Sequence, residues 1–118
     1  MAKILIVDDS RTSRKFLKTM LEADQHEIIG EASNGVEGIQ KYKELNPDII
    51  TMDITMPELD GIEALKQIME FDPNAKIVMV TAAGQKNKIV DAVKYGAKDF
   101  LAKPFDAEQI RNIINNII

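Results

Sequence analysis

The chain has 118 residues, 45% of them hydrophobic and 29% charged, with a net charge of −4. This length predicts one domain with a real core, which we expect to span residues 1–118 without an output domain. There is no cysteine, which excludes disulfides, zinc–thiolate sites and thiol catalysis. Interspersed charges without a basic block argue against nucleic-acid binding. The first apolar run is too short for a signal peptide or membrane span, so we expect a cytoplasmic protein.

Short apolar runs alternate with helical patterns along the whole chain. The runs predict five strands, at residues 4–7, 27–32, 49–52, 77–80 and 100–102. Apolar stripes with helical spacing follow them at 16–21, 36–42, 62–69, 89–93 and 110–117. Asn46-Pro47 and Asp72-Pro73 are expected to end the second and third helices, and Gly96 to supply a left-handed helix end. Strands that are apolar throughout and alternate with helices indicate a parallel sheet covered on both faces.

Polar side chains are predicted where these strands end. Asp8 and Asp9 follow the first strand, Asp53 the third, Thr81 the fourth and Lys103 the fifth. Right-handed crossovers place all these ends at one edge of the sheet, where ligands bind at the point at which strand order reverses. Three carboxylates, a hydroxyl and an amine are therefore expected to converge there.

The chemistry of these side chains favours a divalent cation and a phosphoryl group. Carboxylates without Cys or a nearby His suit Mg²⁺ or Mn²⁺ better than Zn²⁺, and neighbouring strands roughly 5 Å apart would let the acids share one ion. Mg²⁺ keeps waters and phosphate oxygens as ligands, while Lys103 and Thr81 would bind phosphoryl oxygens. An aspartate in such a site is also a candidate nucleophile that forms an acyl phosphate.

Structural alternatives exist for several of these residues. Taken alone, Asp8 is an equally good candidate for a helix cap, but beside Asp9, Asp53 and Lys103 metal binding is favoured. Thr81 could be a simple β-branched strand end, although the phosphoryl role is favoured. Asp60 and Gly61 are interpreted as turn and helix-start residues. His26, the single histidine, is expected to be an exposed loop residue.

Four segments, in order, resemble the receiver domain of two-component response regulators: "ILIVDDS", "DIITMDITMPELDG", "VTAAG" and "DFLAKPF". The resemblance covers essentially the whole chain. It implies a flavodoxin-like, doubly wound α/β fold, with a five-stranded parallel sheet in the order 2-1-3-4-5 and five helices. It also implies that Lys103-Pro104 can be a cis peptide bond.

The resemblance assigns a role to each candidate site residue. Asp53 would be the phosphoacceptor, and Thr81 and Lys103 would bind the phosphoryl group. Mg²⁺, for which Mn²⁺ can substitute, would be held by Asp8, Asp9, Asp53 and the backbone carbonyl of Thr55. Phe100 would be the switch aromatic, at a position often occupied by Tyr. Thr55 and Ala83 occupy variable positions that tune phosphoryl lifetime in the family.

The implied function is a phosphorylation-controlled switch that signals by binding proteins. The likeness is closest to the single-domain chemotaxis members, which implies a CheA-type histidine kinase, a flagellar motor switch protein and a phosphatase as partners of a monomer. Ile89, Phe100 and Ile113 are predicted to form the partner surface on the fourth helix, fifth strand and fifth helix.

Alternative functions are a phosphorelay intermediate, a receiver for another pathway, or an enzyme. A phosphatase of the haloacid dehalogenase type would usually need a second Asp at the position of Thr55. A flavin-binding protein would need a phosphate loop where Asp8 and Asp9 stand, and these acids would repel a phosphate. A phosphoacceptor protein that promotes only its own phosphotransfer and dephosphorylation is the favoured interpretation.

Overall fold

A computed structural model describes residues 1–82 and 84–118, so that Ala83 lies outside the described residues. Strands and helices alternate strictly. They are β1 (Lys3–Val7), α1 (Arg11–Ala23), β2 (Glu27–Ala32), α2 (Gly35–Leu45), β3 (Ile49–Asp53), α3 (Gly61–Phe71), β4 (Ile77–Thr81), α4 (Lys86–Lys94), β5 (Asp99–Ala102) and α5 (Ala107–Ile117). The five predicted strands and five predicted helices are all present. Asp53 and Thr81 are the last residues of their strands rather than the first residues after them, because the β3–β4 and β4–β5 ladders extend that far.

The five strands form one parallel sheet in the order β2-β1-β3-β4-β5, which confirms the predicted fold. β1 pairs with β2 on one side and with β3 on the other, so the direction of winding reverses between β1 and β3. The loops after these two strands therefore diverge and leave a crevice at the carboxyl edge.

Hydrophobic side chains cover both faces of the sheet, as the apolar strands predicted. On one face, Leu5 and Val7 of β1 belong to a cluster that also contains buried residues of α2, α3 and α4. On the other face, Ile4 and Ile6 belong to a cluster with buried residues of α1 and α5. The alternation of neighbouring residues between faces follows from the two-residue period of a strand.

Side-chain caps begin four of the five helices. Ser10, Asn34, Asp60 and Asp106 each accept a hydrogen bond from the backbone three residues later. Asp60 is thus a helix-start residue, as predicted, whereas Asp8 is not the cap of α1. Asn46 and Asp72 end α2 and α3 as expected, and Gly96, with φ of +105°, lies in the left-handed region just after α4.

His26 lies in the loop between α1 and β2, as predicted, but the expectation that it is exposed is wrong. This residue is buried, and its Nδ1 accepts a hydrogen bond of 3.0 Å from the Ala2 backbone N–H. The His26 backbone N–H donates to the Leu21 carbonyl, and the Glu27 N–H donates to the Ala2 carbonyl. These bonds hold His26 against the start of β1. Burial and then the positive chain terminus lower the pKa of His26, while Asp24 opposes them. A single histidine before a strand gives no sequence signal of such a contact.

The apolar stripe predicted for α4 differs from the buried one. Val90 and Val93 are 67% and 57% exposed, whereas Ala92 is the buried residue of this helix. Over residues 1–82 and 84–118, every helix falls short of the length and apolar character that a membrane crossing needs.

Candidate functional site

Three carboxylates meet at the crevice between β1 and β3. Asp8 and Asp9 follow β1 directly, Asp53 ends β3, and one oxygen from each lies within 4.8 Å of the others. Asp8 and Asp53 are buried and Asp9 is exposed. The predicted convergence of the acids is therefore present, with two of them shielded from water and the third at the rim.

Backbone and side-chain contacts hold Asp8 in place. Its Oδ1 accepts a hydrogen bond of 2.8 Å from the Ser10 N–H, and its carbonyl accepts one of 2.7 Å from Arg14. Lys103 lies with its Nζ 3.4 Å from Asp8 Oδ2 and 3.9 Å from Asp53 Oδ2. One lysine thus faces both buried carboxylates, and Asp9 adds a third negative charge.

The surplus of negative charge acts on Asp53. Burial, and after it the Asp8 carboxylate, raise the pKa of Asp53 to about 6; Lys103 opposes them, and Asp9 adds a smaller upward effect. A shift of this size means that the pocket disfavours the ionised form. A divalent cation bound by the three acids would remove this conflict, and their oxygen-only donor set fits Mg²⁺.

Thr81 and Lys103 are joined through their backbones. Thr81 is buried at the end of β4, and the Lys103 N–H donates to the Thr81 carbonyl at 2.8 Å. The Lys103-Pro104 peptide bond is cis, as the family resemblance implied. The ends of β4 and β5 therefore deliver the hydroxyl and the amine to the same edge as the acids, as predicted.

The predicted partner surface is only partly exposed. Phe100 is 41% exposed and lines, with Thr81, Ala82, Ile89 and others, a cavity of about 360 Å³ beneath the start of α4. Ile89 is half-buried, and Ile113 packs against the cluster under α1 and α5. Ala83, a predicted lifetime-tuning residue, is not among the described residues.

Gly61 has a structural role that the sequence interpretation missed. A Cβ atom at this position would lie 2.0 Å from the Asp53 carbonyl oxygen, and the Gly61 N–H donates to Ile54 at 2.7 Å. The start of α3 thus approaches the backbone of Asp53 as closely as only glycine allows. A glycine as the first residue of a helix, right after a capping Asp, was the available signal.

Gln85 is a second residue that sequence interpretation missed. Its side chain contacts Thr55, two residues after Asp53, with Nε2 2.6 Å from the hydroxyl oxygen. Gln85 carries no charge and belongs to none of the four resembling segments, so nothing in the sequence marked it.

Comparison with known proteins agrees with this arrangement. The family model described as "Response regulator receiver domain" matches residues 4–115. A chemotaxis protein CheY of Thermotoga maritima is 50% identical over 98% of this chain and 96% of its own length. One of Listeria monocytogenes is 52% identical over 93% of this chain and 92% of its own length.

Solved structures give the same result. The structure of a CheX–CheY–BeF₃–Mg²⁺ complex from Borrelia burgdorferi contains a chain that is 40% identical to this one. It superposes with a TM-score of 0.93 over 98% of this chain and 87% of that chain. The sheet order, the acids at its crevice and these matches have one explanation, which is that the chain belongs to the family of response regulator receiver domains and is closely related to CheY proteins.

Proposed function

We propose that the chain is a phosphorylation-activated switch in chemotaxis, which accepts a phosphoryl group on Asp53 from a histidine kinase and then signals by binding proteins. The observation that carries this proposal is a buried carboxylate of raised pKa, faced by one lysine and two further acids. Like other receiver domains related to CheY, the chain is a signalling protein rather than a classical enzyme.

Phosphotransfer would begin with the ionised Asp53. Its pKa of about 6 leaves most of the carboxylate ionised at neutral pH. One carboxylate oxygen attacks the phosphorus of phosphohistidine, the P–N bond breaks, and the histidine nitrogen leaves with the bonding electron pair. The product is an acyl phosphate on Asp53.

The residues around Asp53 would stabilise the transferred group. Mg²⁺, held by Asp8, Asp9, Asp53 and the Thr55 backbone carbonyl, supplies positive charge to the phosphoryl oxygens when bound. Lys103, already within 4 Å of both buried acids, turns to a phosphoryl oxygen once that oxygen carries the negative charge. The Thr81 hydroxyl, at the end of β4, donates a hydrogen bond to another phosphoryl oxygen.

The signalling surface would lie around α4 and β5. Phe100 stands at the mouth of a cavity that Thr81 also lines, so a movement of Thr81 toward a phosphoryl group opens room for the ring to pack inward. Val90 and Val93 offer exposed apolar side chains on α4. Ile113 contributes less, since it is half-buried.

The partners are proposed from the relatives. The 50% identity to a chemotaxis protein supports a CheA-type kinase and a flagellar motor switch protein as partners. A 40% identical receiver forms a complex with CheX in the presence of BeF₃ and Mg²⁺, which supports Mg²⁺ binding and a CheX-type partner, the proposed phosphatase, here.

Labelling by acetyl phosphate with Mg²⁺ tests the acceptor. Intact-mass spectrometry should show one added phosphoryl group in the wild type and in Glu108→Gln, an exposed control on α5, and none in Asp53→Asn. Full incorporation in Asp53→Asn would show that another residue is the acceptor.

A further inference from the structure

The residue before α4 uses its side chain differently from the residues that begin the other helices. Gln85 makes no capping hydrogen bond, whereas the four other cap residues do. Its amide bridges two loops instead. Oε1 accepts a hydrogen bond of 2.7 Å from the Ala82 N–H, and Nε2 donates one of 2.6 Å to the Thr55 hydroxyl.

The strand register places this bridge on the side of Asp53. Asp53 pairs with Val80, and the Val80 carbonyl accepts the Ile54 N–H across the β3–β4 ladder. Every second residue of a strand directs its backbone groups to the same neighbour, so the Ala82 N–H also faces β3. The Ile54 carbonyl, its next partner in the ladder, accepts the Gly61 N–H, and the Ala82 N–H bonds to Gln85.

We propose that Gln85 is a positioning residue that competes with the phosphoryl group for the Ala82 N–H, and that its displacement links phosphorylation to the start of α4. This inference rests on the proposed function. A phosphoryl group on Asp53 brings anionic oxygens, which accept hydrogen bonds more strongly than a neutral amide does. The Ala82 N–H therefore exchanges Gln85 Oε1 for a phosphoryl oxygen.

The exchange affects α4 because Gln85 directly precedes its first residue. Once Oε1 has lost the Ala82 N–H, the Nε2 bond to Thr55 alone no longer fixes the side chain, since a single exposed hydrogen bond contributes little. Both connections between the start of α4 and the loops around Asp53 are then weakened together. Phosphorylation thus releases one end of the helix that carries Val90 and Val93.

Gln85→Ala removes the competitor and tests the proposal. With BeF₃⁻ as the phosphoryl probe and saturating Mg²⁺, we expect this variant to bind the probe about three- to tenfold more tightly than the wild type, the range of one or two modest hydrogen bonds. Thr55→Val breaks only the second bond and should give a smaller gain. Gln67→Ala, an exposed glutamine on α3, is the matched control and should leave the affinity unchanged.

NMR gives an independent measurement. In the wild type, addition of BeF₃⁻ should move the Gln85 side-chain NH₂ signals toward those of a solvated amide and shift the Ala82 amide. A purely structural role would lower the free energy of unfolding of Gln85→Ala without changing its affinity for the probe. Unchanged affinity in Gln85→Ala, or Gln85 signals that stay in place, would overturn the proposal. Failure of the wild type to bind BeF₃⁻ at all would instead contradict the proposed function.

Discussion

The two edges of the sheet differ in how well their buried polar groups are paired. At the amino edge, His26 accepts a hydrogen bond from Ala2, and the Tyr42 hydroxyl donates to Asp72 at 2.8 Å. At the carboxyl edge, Lys103 lies within 4 Å of Asp8 and Asp53, and nearby Asp9 adds a third negative charge. Buried polar or charged groups that lack partners destabilise a fold. The paired groups of the amino edge therefore stabilise the protein, whereas the crowded acids of the carboxyl edge suit the binding of a ligand. Substitutions that remove a polar or charged group should therefore destabilise the protein at the amino edge and stabilise it at the carboxyl edge.

The largest effect is expected for Asp53→Asn in metal-free protein. A pKa of about 6 against an ordinary 3.8 limits the gain to about 3 kcal/mol at neutral pH, and loss of the Lys103 pair reduces it. We expect the free energy of unfolding to rise by about 1–3 kcal/mol in urea titrations with chelator at pH 7.5. A less stable variant would show that Asp53 is a structural residue.

The same substitution predicts a pH dependence. Because the folded protein raises the pKa of Asp53, its contribution to stability is present below the unfolded pKa and is lost as pH rises through about 6. The stability advantage of Asp53→Asn should therefore grow between about pH 4 and 7. A difference that stays constant over this range, measured in metal-free urea titrations, would contradict the raised pKa.

At the amino edge, Tyr42→Phe should lower the free energy of unfolding, whereas Asp53→Asn should raise it. The hydroxyl of buried Tyr42 donates to the Asp72 carboxylate, and a hydrogen bond to a charged group contributes about 1.5–3 kcal/mol, with the lower end expected because Asp72 is half-buried. Urea unfolding at pH 7.5 should show a loss of this size. Tyr95→Phe, at a residue that is 37% exposed, is the matched control and should change stability little.

His26 should make the amino edge sensitive to acid. Its folded pKa is lowered, so its contribution to stability is present above the unfolded pKa of 6.5 and is lost as pH falls below it. His26→Gln, which offers a neutral acceptor, should reduce this loss between about pH 7 and 5. Thermal unfolding of the two proteins in that range measures the difference, and parallel curves would contradict the assignment.

The smallest change in stability is expected for Asp9→Asn, since Asp9 is exposed. We expect a metal-free gain of about 0.5 kcal/mol and a much reduced response to Mg²⁺. The wild type should gain about 1.4 kcal/mol at Mg²⁺ tenfold over its dissociation constant. Glu108→Gln should match the wild type. An Asp9→Asn protein that gains as much stability from Mg²⁺ as the wild type would show that Asp9 is not a ligand in the proposed Mg²⁺ site.

Sequence patterns predicted the fold and the acids well, because both depend on periodicity and on the residue types at the carboxyl end of each strand. Asp8, Asp53 and Lys103 could be placed together once the strands were known to be parallel. The contacts of His26, Gly61 and Gln85 could not be predicted, since each is made with a distant segment: the start of β1, the Asp53 carbonyl and the Thr55 hydroxyl, respectively. The prediction of the buried face of α4 was wrong for a related reason, because a single alanine, Ala92, faces the core there.

That sparse burial of α4 has a consequence for its motion. Of its nine residues, all of them described, Ala92 alone is fully buried, and its first turn lacks a side-chain cap. Segments with few buried apolar contacts open locally at a lower free energy than the core does. Amide hydrogen exchange of the native protein should therefore be fastest among the helices in α4, so that α4 is the helix whose rearrangement costs the least free energy.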